Sequence, residues 1–211
     1  MEITWISHAC FKIKTNKGKI IYFDPYKVPN DEEKADIIIS SHSHGDHFSK
    51  SDIKKLMKDS TLILGPESIS NNLKRVNGKS LKIGEVLKTD GVKLKLVPAY
   101  TIKKQTHPKS NEWAGTILEA EGKKIYHAGD TERIPEMKEL EKENITVALL
   151  PCGGRFTMDF EESCAAAVDI RPEIVVPMHN WDKSLEEYEK SMKNKDPNIR
   201  VEILKNKSLT L

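Results

Sequence analysis

The segment Ser40-Ser41-His42-Ser43-His44-Gly45-Asp46-His47-Phe48 places three imidazoles and one carboxylate within six residues. The chain has only seven histidines, and chance rarely gathers three of them so tightly. A polar surface loop with incidental histidines is therefore the weaker reading, and metal binding the stronger one. In extended chain, residues two apart point to the same side, so His42 and His44 can chelate one ion. Asp46 and His47 lie beyond Gly45, where the chain can turn, and can face a second ion. Imidazole and carboxylate donors together suit zinc, manganese or iron. Structural zinc sites are closed by four ligands and are often rich in thiolate, so this donor set favours an open, catalytic centre.

The elements around the segment must hold it in place. Asp36-Ile37-Ile38-Ile39-Ser40 has the pattern of a short buried strand that feeds directly into the histidines. Before it, residues 2–7, 10–15 and 19–24 read as an antiparallel meander turning at Asn16-Lys17-Gly18, and 25–35 as a loop. After it, a helix is expected from Ser49, with Asp52 completing a cap and Ile53, Leu56 and Met57 inward. A strand at 61–64 leads to a helix opened by Pro66-Glu67 and closed by Asn77-Gly78. Strands at 86–89 and 92–97 turn at Asp90-Gly91, and a polar loop spans 99–113. A hairpin of 115–120 and 124–128 turns at Glu121-Gly122. The last third alternates differently: a helix near 135–142, a strand at 147–150, a helix opened by Asp159 and Glu162, and a strand at 174–177. A helix opened by Ser184 and Glu187 then precedes a final strand pair near 199–211. With no repeat, low-complexity tract or linker, residues 1–211 read as a single domain of mixed sheet with helices outside. The pattern leaves open whether there is one sheet or two.

Composition narrows the function. Lys and Arg number 34 against 32 Asp and Glu, a net charge of +2, which argues against a nucleic-acid partner. No apolar run reaches the ~18 residues of a membrane span, so no membrane partner is expected. Cys10, Cys152 and Cys164 are odd in number, and the first residues show no basic, cleavable leader. A reducing cytoplasm is the expected location.

His42-Ser-His44-Gly-Asp46-His47 matches the H-x-H-x-D-H signature of the metallo-β-lactamase superfamily, and later segments match in order. Phe23-Asp24-Pro25 resembles the early strand-end aspartate, His107 the third-motif histidine, Gly129-Asp130-Thr131 the bridging-aspartate motif and Pro177-Met178-His179 the last-motif histidine. Ile6–Phe11, Tyr126–Thr131 and Gly153–Asp159 are similar to the branch of metal-dependent hydrolases that includes ascorbate-6-phosphate lactonase-like proteins. The resemblance implies an α+β fold, a four-layer αββα sandwich with two mixed sheets. It implies two divalent ions, zinc first, with manganese or iron(II) as alternatives. His42, His44 and His107 would hold one ion, Asp46, His47 and His179 the other, and Asp130 would bridge them. His107 departs from the branch in spacing. It follows Val97-Pro98-Ala99 by eight residues, yet it is the only histidine between His47 and His127.

The same resemblance frames the chemistry. A water whose pKa is lowered toward ~7 by the metals would attack a carbonyl or phosphorus centre, with no Ser or Cys nucleophile required. Asp46 and Asp130 would act at the reacting centre. His8 either lines the pocket, as the candidate general acid, or is a satisfied core histidine. Asp24 is expected to orient a ligand imidazole, and His127 to serve structure. Trp113 and Trp181 are pocket walls or plain packing. Among the basic residues near the expected mouth (Lys103, Lys104, Lys109, Arg133 and Arg155), Arg155 in its glycine turn is the best candidate to bind substrate. The expected function is hydrolysis of a small anionic lactone, another ester-like compound or a phosphodiester. A nuclease and a non-catalytic metal-binding regulator are the alternatives. Flavodiiron-type oxidoreductases of this fold carry Glu where His44 stands, which favours a hydrolase. Related proteins assemble as oligomers, so a homo-oligomer stays open.

Overall fold

The computed structural model describes residues 1–181 and 184–211. They form two units, Met1–Glu85 with Leu204–Leu211, and Val86–Ile203, each built on one seven-stranded mixed sheet. The fold is α+β, as the motifs imply.

In the first unit, β1 (Glu2–Ser7), β2 (Cys10–Lys14) and β3 (Ile20–Phe23) form the antiparallel meander. From β3 the sheet turns parallel through β4 (Ile37–Ile39), β5 (Leu62–Pro66) and β6 (Lys79–Leu81). β4 is buried throughout, as its unbroken isoleucine run requires of a parallel strand covered on both faces. The crossovers carry α1 (Lys50–Leu56) and α2 (Ser70–Lys74). Ser49 caps α1 by accepting the Asp52 N–H, and Ile53 and Leu56 are buried while Met57 ends the helix. The helix expected from Pro66-Glu67 begins as a 3-10 turn, Glu67–Ile69, before α2. β6 gave no sequence signal, because Lys-Ser-Leu is a short, polar edge segment without alternation.

In the second unit, β7 (Val86–Thr89), β8 (Val92–Pro98), β9 (Ala114–Ala120) and β10 (Lys123–His127) are antiparallel. β11 (Val147–Pro151), β12 (Ile174–Met178) and β13 (Arg200–Val201) then continue in parallel. Both residues of Asp90-Gly91 and of Glu121-Gly122 have positive φ, the requirement of a tight hairpin turn. α3 (Phe160–Ile170) starts at Asp159, which accepts the Glu162 N–H. α4 (Glu186–Lys195) starts one residue later than Ser184 predicts, with Leu185 at the cap position and Ser184 Oγ accepting the Glu186 N–H at 3.4 Å.

The helix expected near 135–142 is present as a 3-10 helix, Pro135–Glu143. Its buried residues, Met137 and Leu140, are three apart, the repeat that a 3-10 helix stacks on one face. The last two strands do not pair with each other: β13 extends the ladder of β12, and β14 (Ser208–Thr210) pairs with β1.

Strand direction decides where loops fall. In the first sheet β1, β3 and β4 run the same way, so Ser7-His8, Asp24 and the histidine segment all leave one edge. In the second sheet β8, β10, β11 and β12 run the same way. The loop carrying His107, then Asp130, the Gly153-Gly154 turn and His179 therefore all leave one edge of that sheet. Ligand sites of open sheets with parallel strands gather at such carboxyl ends.

Candidate metal centre

In the first unit, Asp24 organises the histidine segment. Its side chain is 1% exposed, and it accepts from Ser41 N–H to Oδ1 at 2.7 Å, from Ser41 Oγ to Oδ2 at 2.7 Å and from His47 Nδ1 to Oδ2 at 2.7 Å. A carboxylate only accepts, so His47 carries its proton on Nδ1 and presents a bare Nε2. Ser41 Oγ has spent its one proton on Asp24 and lies 2.9 Å from His42 Nδ1, so it accepts there. His42 is thereby also protonated on Nδ1 and offers Nε2. One carboxylate thus sets the tautomer of two candidate ligands.

His42 Nε2 lies 3.1 Å from His44 Nδ1. The segment is bent, not extended: the His44 carbonyl accepts from His47 N–H at 3.0 Å and Phe48 N–H at 2.8 Å, which folds Asp46 and His47 back. The His42 and His47 rings are 4.1 Å apart between centroids. His8 Nε2 stands 3.2 Å from Asp46 Oδ2, and His8, Asp46 and His47 offer ligand atoms within 4.8 Å of one another. Burial pushes the Asp46 carboxyl up, but the His8 hydrogen bond and the nearby His47 outweigh it and hold the pKa at about 2. Asp46 is therefore charged across the physiological range.

In the second unit, Asp130 Oδ2 lies 3.1 Å from His107 Nε2 and 3.2 Å from His179 Nε2, and all three residues are buried. The late position of His107 has a physical explanation. Thr101 N–H donates to the His107 carbonyl at 2.7 Å, the His107 N–H returns to Thr101 Oγ1 at 3.3 Å, and Thr101 bridges Pro108. The extra residues thus close on themselves as a side loop and return His107 beside the start of the excursion. The loop is pinned by Glu132, which sequence reasoning missed. This carboxylate is 1% exposed and accepts from Ile102 N–H and Lys103 N–H at 2.6 Å each and from Lys104 Nζ at 2.7 Å. Burial raises its pKa, and these three donors more than offset that, holding it below the ordinary glutamate value. An acid two residues after Asp130 was the available signal, but nothing in its spacing announced a partner loop.

The remaining expectations sort by contact. His127 accepts the Gly129 N–H on Nδ1 at 3.2 Å and so shapes the turn into Asp130, a structural role. Trp113 lies edge-on to His107, with centroids 5.4 Å apart. Trp181 lies edge-on to His179 at the same separation of 5.4 Å. Arg133 is held by both oxygens of Asp169 at 2.6 and 2.8 Å, and Lys109 by Glu136 at 3.0 Å, so these cations and Lys104 are neutralised locally. Arg155 is exposed, with no ion pair among the described residues. Gly153 is required by a close approach: a Cβ there would stand 2.4 Å from both the His179 carbonyl oxygen and Trp181 Cδ1. His8, Asp24 and His179 all adopt positive φ, which non-glycine residues hold only where surrounding contacts enforce it.

The residues fit a metal centre. Two nitrogen donors about 2.0–2.1 Å from a tetrahedral zinc would lie roughly 3.3 Å from each other. The His42–His44, His107–Asp130 and His179–Asp130 separations of 3.1, 3.1 and 3.2 Å are close to that edge.

A sequence model of the beta-lactamase superfamily domain matches residues 2–179. The UPF0173 metal-dependent hydrolase of Geobacillus sp. (strain WCH70) is 36% identical over 194 residues, 85% of each chain. Its counterpart in Lysinibacillus sphaericus (strain C3-41) is 34% identical over 221 residues, 97% of this chain and 96% of its own. Among solved structures, a candidate metal-dependent hydrolase from Parabacteroides distasonis ATCC 8503 is similar at a TM-score of 0.84 and 33% identity, over 95% of this chain and 91% of its own. Igni18, a metallo hydrolase from Ignicoccus hospitalis KIN4/I, is similar at a TM-score of 0.81 and 25% identity, over 100% and 98% of the two chains. The chain belongs to the metallo-β-lactamase superfamily and is one of its metal-dependent hydrolases.

Proposed function

We propose that the chain hydrolyses a small anionic substrate, a lactone, another ester-like compound or a phosphodiester, at a centre of two divalent ions. His42, His44 and His107 hold one ion in this reading, Asp46, His47 and His179 the other, and Asp130 both. The observation that carries the reading is the pair of imidazole Nε2 atoms converging on one oxygen of buried Asp130. Zinc is the first choice for this donor set, with manganese or iron as alternatives. Bound there, such ions supply hydroxide at neutral pH and a Lewis acid for the charge that develops on the attacked group.

The protein groups have distinct tasks. Asp24 and Ser41 hold His42 and His47 in the ligating tautomer. Asp46 keeps its charge, with His8 Nε2 standing 3.2 Å from its Oδ2. A proton on that nitrogen would sit beside the candidate centre, which makes His8 the group to pass it to a leaving oxygen. Arg155, exposed and without an ion pair among the described residues, supplies positive charge for an anionic substrate. Nuclease action is the second reading, and the locally paired lysines and net charge of +2 disfavour it.

A screen of metal-loaded protein against lactones, thioesters and bis-p-nitrophenyl phosphate, with His44→Ala as blank, tests the proposal. Turnover of at least one small substrate that is lost in the blank, with single-stranded RNA left intact, is expected. Efficient RNA cleavage at trace enzyme would replace this reading with the second one.

A further inference from the structure

The second unit carries a continuous surface feature that ligand chemistry alone does not require. Trp181 is 44% exposed although its ring contacts the candidate ligand His179. Phe156 meets the other part of this platform edge-on, 5.9 Å from the Trp181 centroid. The exposed Arg155 guanidinium lies over the Phe156 ring, with its Cζ 4.8 Å from the centroid. Gly153, against which Trp181 packs without room for a Cβ, fixes the indole in place. The order along the surface is therefore candidate metal ligand, open indole, phenyl ring and an exposed cation with no ion pair among the described residues. An exposed aromatic next to a candidate catalytic centre costs solvation, and flat apolar faces with one convergent charge are the usual lining of a small-molecule site.

We propose that Trp181, Phe156 and Arg155 form the specificity face of the site. This rests on the hydrolase reading above and names its substrate class: a flat aromatic or conjugated body beside the reacting group, with an anionic substituent at its far end. The indole takes the planar body and the guanidinium takes a carboxylate or phosphate. A flexible aliphatic chain of equal length would gain the charge contact without the stacking.

Calorimetric titration of the metal-loaded protein with terephthalate, benzoate and adipate tests this without turnover. Terephthalate is flat with two opposed carboxylates, benzoate is flat with one, and adipate has two on a flexible chain. Terephthalate is expected to bind at least tenfold more tightly than either of the others. Arg155→Gln should reduce terephthalate to the benzoate level and leave benzoate unchanged. Trp181→Ala should weaken terephthalate and benzoate together and spare adipate. Equal affinity for terephthalate and adipate, or indifference of terephthalate to both variants, would overturn the proposal. Metal content and hydrolysis of bis-p-nitrophenyl phosphate by the same samples judge the hydrolase reading separately. Loss of both with terephthalate binding that still depends on Trp181 and Arg155 removes the hydrolase and keeps the binding face, and the reverse removes the binding face alone.

Discussion

At Asp24 a single buried carboxylate takes three donors, and each does something different: one bends the chain at Ser41, one directs His42 through the serine hydroxyl, and one directs His47. Asp24→Asn would place an amide among donors and leave at least one of them facing an N–H. Zinc affinity is expected to fall 10- to 100-fold, the usual cost of losing such an orienting partner, as read by competition with a chelating dye. Unchanged affinity would show that the imidazoles orient themselves. The role of Asp24 was legible, because it ends a strand beside the histidine segment and Phe23-Asp24-Pro25 resembles the family's early strand-end aspartate. Ser41 was not, since a serine hydroxyl reports its partner only when the fold brings one. His8 was half legible: its type suggested the site, but the turn that brings it to Asp46 depends on a positive φ that no residue at that position advertises.

Among the elements, the loop from 99 to 113 shows how a candidate ligand with unusual spacing comes to lie beside Asp130. Ion pairing and backbone donors to Glu132 hold the excursion closed, and Tyr100 adds a bond from its hydroxyl to Glu136 at 2.8 Å. Glu132→Gln should destabilise the protein by about 1–3 kcal/mol at pH 7, because buried donors lose a charged acceptor. The carboxyl is held below its ordinary pKa, so this stabilisation is full above the unfolded value of ~4.3 and lost as pH falls through the folded value. Denaturant curves of the two proteins should therefore converge on acidification below pH ~4. A difference that stays constant down to pH 3 would assign the effect to shape, not charge. Strands were read well where burial or alternation was strong, as in β4, β11 and the hairpin at Glu121-Gly122. The failures fall where tertiary context decides: the start of α4, one residue late, and the separate partners of β13 and β14.

For the whole molecule, two mixed sheets each deliver their chemistry at the carboxyl ends of like-directed strands. None of the helices among the described residues is long and apolar enough to cross a membrane. Motif order along the chain was sufficient to indicate the family, because the His and Asp motifs follow one another in the family's sequence. In the proposed centre Asp130 is the residue on which both ions would depend. The most direct measurement is therefore metal stoichiometry with hydrolysis of bis-p-nitrophenyl phosphate, or of the best small substrate found, for the wild type and Asp130→Ala. About two ions per chain and turnover in the wild type, with both diminished in the variant, are predicted by a shared carboxylate. A variant that keeps two ions and the normal rate would contradict the assignment.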